Sequence, residues 1–84
     1  MDRLLHPPAV AAVLAQLVEQ AQAEGAPARD VPITATQADL AKLAGASRES
    51  ASRFLAVLER AHVISQGRGR LTVHDPGALQ GYVY

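Results

Sequence analysis

Cysteine is absent from the 84 residues, which excludes disulfides, a thiolate zinc site and a cysteine nucleophile. Aromatic residues are nearly absent too: one phenylalanine, two tyrosines and no tryptophan. A core without them rests on aliphatic packing, and the abundant Ala, Leu and Val favour a helical fold. No apolar run approaches the ~20 residues needed to span a bilayer. The opening Met1-Asp2-Arg3-Leu4-Leu5 lacks the apolar segment of a secretory signal, so a soluble, cytoplasmic protein is expected. The length suits one domain over residues 1–84, with little stability in reserve.

An excess of charge of either sign is missing as well, since the formal net charge is zero. The distribution is nevertheless uneven. From Lys42 to Arg70, six basic residues (Lys42, Arg48, Arg53, Arg60, Arg68, Arg70) stand against two acids, Glu49 and Glu59. From Met1 to Ala41 the balance reverses, with Arg3 and Arg29 against five acids. A polyanion feels such a local patch and not the total, although a solvated surface accounts for the same residues equally well. His6, His62 and His74 lack the spacing of metal ligands, so they read as surface or boundary residues and no metal site is expected. The carboxylates do not pair for acid–base work, and no serine shows a histidine partner at motif level. Catalysis and cofactors therefore have no support.

What is present is helical periodicity. Pro7-Pro8 suits a first turn, and Val10, Val13, Leu14, Leu17, Val18 and Ala21 recur at spacings of three and four. This predicts a helix over 8–24, stopped by Gly25. Its stripe covers fewer than two heptads and reads as core, not as a dimer seam. Val31-Pro32-Ile33-Thr34 is β-branched and proline-marked, at best an edge strand. Thr36 followed three residues later by Asp39 resembles a capping box, and Leu40, Leu43 and Ala44 supply the buried side of a short helix. Gly45-Ala46 breaks that helix, and Ser47 caps a second one running to about Ala61. Two helices joined by a three-residue turn containing glycine, over 36–61, make a helix-turn-helix unit. In the second helix Ala51, Phe54, Leu55 and Leu58 face inward, and Arg48, Glu49, Ser52, Arg53 and Ala56 face outward. Two strands around Gly67-Arg68-Gly69 predict a wing hairpin over 63–74, and Asp75-Pro76 starts a short helix over 76–83. The expected fold is mainly α, a winged helix-turn-helix with a three-helix core plus wing.

Three runs, Thr36-Gln37-Ala38-Asp39-Leu40-Ala41, Gly45-Ala46-Ser47-Arg48-Glu49-Ser50-Ala51-Ser52-Arg53 and Leu58-Glu59-Arg60, carry a resemblance. They are similar to the C-terminal winged helix of the catabolite-activator (Crp/Fnr) family of bacterial transcription regulators. The stretch from Ile64 through Arg68-Gly69-Arg70 to Asp75-Pro76-Gly77-Ala78-Leu79 resembles that family's wing and tail, and the N-terminal helix its lead-in. The resemblance implies sequence-specific DNA binding with helix 47–60 in the major groove. Arg48, Glu49 and Arg53 would touch bases. Their chemistry suits this, because arginine forks onto guanine and glutamate accepts from the cytosine amino group. Thr36, Lys42, Ser47, Ser50, Ser52, Arg68 and Arg70 would touch the DNA backbone. The implied partners are a double-stranded palindromic operator with TGTGA-like half-sites and RNA polymerase. A dimer forms on DNA in this family, while the isolated chain is expected to be a monomer.

The sequence departs from the family pattern in places. Ser50 stands where threonine is usual, Ala51 replaces a larger aliphatic, and Ala38 replaces a longer polar residue. The family's sensory barrel and long dimerisation helix are not contained in these residues, which leaves a fragment and a free-standing reader both open. A competing reading is a winged helix that binds another protein and has lost DNA binding, motivated by the zero net charge and the missing dimerisation helix. An ordinary solvated face with a Glu49–Arg53 ion pair is the plainest account of the second helix.

Overall fold

The computed structural model describes residues 7–83. The readings of Met1–Leu5 and His6 lie outside these residues. In chain order the elements are α1 (Pro7–Ala23), β1 (Val31–Ile33), α2 (Gln37–Ala44), α3 (Arg48–Arg60), β2 (Ile64–Gly67), β3 (Arg70–Val73) and α4 (Pro76–Gln80). Helix α1 lies one residue earlier at each end than the periodicity predicts, because Glu24 and Gly25 already form the turn. It buries Val10, Ala11, Leu14 and Val18, and packs against α2, α3, β1 and α4.

Helix α2 begins at a complete capping box. Asp39 N donates to Thr36 Oγ1 at 3.0 Å, and Thr36 N donates to the Asp39 carboxylate at 3.0 Å. It ends at Gly45, whose left-handed φ of 69° lets Ala46 N reach back to Ala41 O at 2.9 Å. The buried side of α2 is Leu40 and Ala41, with Ala44 half-buried, and this corrects the expectation for Leu43, which is 63% exposed. At 100° per residue Leu40, Ala44 and Ala41 fit within about 100° of arc, and Leu43 falls about 60° beyond its edge. In α3 Ala51, Phe54, Leu55 and Leu58 are buried, as the helical spacing requires.

The wing belongs to a three-stranded antiparallel sheet of order β1-β3-β2, one strand more than a hairpin. Strand β1 pairs Val31 with Val73, Pro32 with Thr72 and Ile33 with Leu71. Pro32 has no amide to donate, which suits an edge strand. Strand β2 pairs Ile64 with Val73 and Gly67 with Arg70. Val31, Ile33, Ile64, Leu71 and Val73 fill the inner face. Helix α4 is shorter than expected, because residues 81–83 continue as turns with Tyr82 N bonded to Leu79 O. Leu79 is fully buried, and the Tyr82 ring meets Phe54 edge-on at 5.9 Å. Leu14, Leu40, Leu55, Leu58 and Leu79 are fully buried, each contributing roughly 1.5–3 kcal/mol. Among the described residues no polar or charged residue is buried.

Candidate nucleic-acid interface

The outer face of α3 follows from helix geometry. Arg48, Ser52, Ala56, Glu49 and Arg53 fall within about 140° of arc, opposite the buried stripe. Ser47 holds the helix start, with its hydroxyl accepting from Ser50 N at 3.0 Å. That hydroxyl keeps its proton to donate, and the amides of the first turn have no partner inside the helix. Arg53 and Glu49 pair at 3.0 Å with side chains 79% and 77% exposed. Such a pair is worth about 0.3–0.5 kcal/mol, so a ligand that binds either group opens it at little cost. Ser52 within this face and Ser50 beside it are half-buried, and the Ser50 amide is already taken by Ser47.

Arg48 also belongs to a second feature. Thr36 and Gln37 from the start of α2, Arg48 from the start of α3, and Gln66, Gly67 and Arg70 from the wing line a groove of about 390 Å³. The groove thus carries one guanidinium from the helix-turn-helix and one from the wing, a setting that favours an anion. Thr36 enters it already engaged with Asp39, so an anion competes with a carboxylate for the Thr36 amide. That amide, followed by the Thr36 hydroxyl, holds the Asp39 carboxyl below its ordinary value against desolvation, with the charge of Lys42 contributing least. Lys42 stands apart from the groove, on the flank of α2 beside Leu17, Thr34 and Leu43. Arg68 is exposed at the hairpin turn, which Gly69 completes with a φ of 65°. The expected residues therefore fall into an α3 face, a groove that shares Arg48 with it, the separate Lys42 flank, and Arg68 at the hairpin tip.

Two constellations have no counterpart in the sequence pattern. Gln37 Nε2 donates to Gln66 Oε1 at 2.9 Å, and Gln66 Nε2 donates to Glu59 Oε1 at 3.1 Å, joining α2, β2 and α3. The second is a serine–histidine contact that no motif displays. Ser65 Oγ lies 2.6 Å from His74 Nε2, and His74 Nδ1 lies 2.7 Å from Asp30 Oδ1. The carboxylate only accepts, so Nδ1 donates to it and a neutral ring accepts the serine proton at Nε2. The connectivity is that of a nucleophile, base and orienter. It lies on the open outer face of the sheet, with His74 and Asp30 side chains 36% and 70% exposed. None of the three lines the groove described above, and the row ties the sheet's strands together. No short-range spacing announces either constellation, since Gln37 and Gln66 are 29 residues apart and Asp30 and His74 are 44 apart. Among the described residues no three His, Asp or Glu side chains gather as metal ligands, and no helix is long and apolar enough to cross a membrane.

The Crp-like helix-turn-helix domain matches residues 9–82. Among solved structures, the catabolite activator protein of Thermus thermophilus has a TM-score of 0.75 and 30% identity, covering 90% of this chain and 32% of that one. A second Thermus thermophilus protein, a transcriptional regulator of the CRP/FNR family, has a TM-score of 0.73 at 25% identity, covering 90% and 39%. The reduced Fe(II) CO-sensing protein of R. rubrum has a TM-score of 0.70 at 25% identity, covering 96% and 39%. The chain thus spans 32–39% of the length of these relatives. No curated protein matches the sequence significantly. On its motif, its fold and these likenesses, the chain belongs to the family of Crp-like helix-turn-helix domains, and its fold is that of the Crp/Fnr transcription regulators.

Proposed function

We propose that the chain is the sequence-specific DNA-reading unit of a bacterial transcription regulator, with α3 entering the major groove. The observation that carries this is the place of Arg48, which belongs both to the exposed arc of α3 and to the groove it shares with Arg70 of the wing. A helix seated by its first turns sets Arg48, Glu49 and Arg53 against base edges. Ser47, Ser50, Ser52 and Thr36 then meet phosphates beside it, with Arg68 and Arg70 following the backbone and Lys42 adding charge from the flank. In this reading residues 1–84 act as one winged-helix domain in the cytoplasm. Two copies meet on a palindromic operator, and RNA polymerase is the further partner. The exposed Leu43, on the Lys42 flank of α2, favours the second reading of a protein-binding scaffold.

Backbone amide shifts separate the two. The chain is titrated with a palindromic duplex carrying two TGTGA-type half-sites and with a scrambled duplex, each at two salt concentrations. DNA reading predicts shifts concentrated at 47–53 and at the wing, larger for the palindrome and fading with salt. Binding of neither duplex, followed by no enrichment from a random-duplex pool, would leave only the protein-binding scaffold.

A further inference from the structure

Gln66 is the last core-facing residue of β2. Side chains alternate along a strand, so Gln66 shares the inner face with buried Ile64, while Ser65 and Gly67 turn to solvent. Opposite it on β3 stands Leu71, the last buried apolar side chain before the tip. Beyond that level lie only Gly67, Arg68, Gly69 and Arg70, all exposed. The tip is therefore held by its own short ladder and by whatever grips Gln66. A two-stranded ladder alone is marginal in water.

What grips Gln66 uses both ends of its amide. The carbonyl accepts from Gln37 and the amino group donates to Glu59. Gln37 is the first residue of α2, and Glu59 lies in the last turn of α3. One side chain thus ties the edge strand to both helices of the helix-turn-helix. Gln37 and Gln66 also line the groove that Arg48 and Arg70 share, so the bond between them spans from its α2 side to its wing side. We infer that Gln66 is the positioning residue of the wing: through Gln37 and Glu59 it fixes how far the Arg68–Arg70 tip stands from the start of α3. Its consequence for DNA rests on the reading proposed above, while the positioning is a property of the free protein.

Two measurements test this on the whole chain. Nitrogen-15 relaxation of the free protein reads the backbone order of residues 67–70. The salt dependence of affinity for a short mixed-sequence duplex reads the phosphates engaged. Gln66→Ala is expected to lower order across 67–70 and leave the amides of α1 and α3 unchanged. The slope of log K against log salt should fall by roughly 1 for each phosphate that the wing no longer reaches. Affinity should fall about three- to ten-fold. Gln66→Glu keeps the acceptor for Gln37 but sets a carboxylate against Glu59, so it should behave like the alanine variant. Adding Glu59→Gln restores a donor at that contact and should restore both readouts. Unchanged order at 67–70 in Gln66→Ala overturns the inference, as does a paired exchange that fails to restore it. So does a uniform loss of order in every element, because Gln66 would then support the fold at large and not the wing. If the parent chain shows no salt-dependent binding to any duplex, the DNA reading fails and the relaxation comparison still decides the role of Gln66.

Discussion

Arg53 and Asp39 illustrate what single residues do here. Arg53 pairs with Glu49 and is largely exposed, so its side chain is dispensable for the fold and available to a base edge. Arg53→Ala is expected to weaken specific binding by roughly 1–3 kcal/mol while lowering the melting temperature by at most about 2–4 °C, read by titration of duplexes and by thermal unfolding. An unaltered affinity in the folded variant removes Arg53 from the reading set. Asp39 acts on the fold itself. Its carboxyl is held below the ordinary value of 3.8, mainly by the Thr36 amide. The contribution of a carboxyl depressed by folding is complete above its unfolded value and disappears as pH falls through the lowered folded value. Thermal stability should therefore decline on acidification below about pH 4, and Thr36→Ala, which removes the hydroxyl and keeps the amide, should flatten that part of the profile only in part. The same substitution should cost about 1 kcal/mol at neutral pH.

The elements are set by their ends. Helices α2 and α3 turn against each other because Gly45 takes a φ of 69°, and a Cβ built there meets nothing within 4 Å. The cost of a side chain at this position is therefore conformational and not steric crowding by neighbours. Gly45→Ala is expected to destabilise the protein by about 1–2 kcal/mol, lowering the melting temperature by roughly 4–8 °C per kcal/mol. A melting point equal to the parent's would show that the turn relaxes without loss. The apolar character of Leu43 and its spacing from Leu40 predict burial, yet it faces out. A short helix with few apolar residues leaves two possible centres for its stripe, and packing against α1 selects the one around Leu40 and Ala41.

At the scale of the molecule, the interface has one reading helix and one wing per chain. On the proposed DNA reading, a single copy covers one half-site of a two-fold operator and should bind it weakly. Joining two copies through a flexible linker should raise affinity for the palindrome by about 10²- to 10⁴-fold and leave affinity for a single half-site unchanged. Analytical ultracentrifugation of the free chain is expected to show a monomer. A tight dimer would place a second contact surface on the protein and make the linker gain vanish.

The caps, turns and apolar periods of α1, α2, α3 and the wing were legible in the chain, because each depends on residues within about four positions of one another. Ser47, Thr36-Asp39, Gly45 and Asp75-Pro76 mark helix ends by local hydrogen bonding and backbone preference, and the inward stripe of Ala51, Phe54, Leu55 and Leu58 left Arg48, Glu49 and Arg53 outside. The pairing of the 31–33 strand with β3, the exposure of Leu43, the Gln37–Gln66–Glu59 junction and the Ser65–His74–Asp30 row were decided only by tertiary structure. Each depends on which distant segments pack together, and the polar side chains in those contacts carry no period that a sequence could display. Local chemistry fixed where helices start and stop; the packing of α1 and the sheet around α3 fixed which side chains meet across the groove.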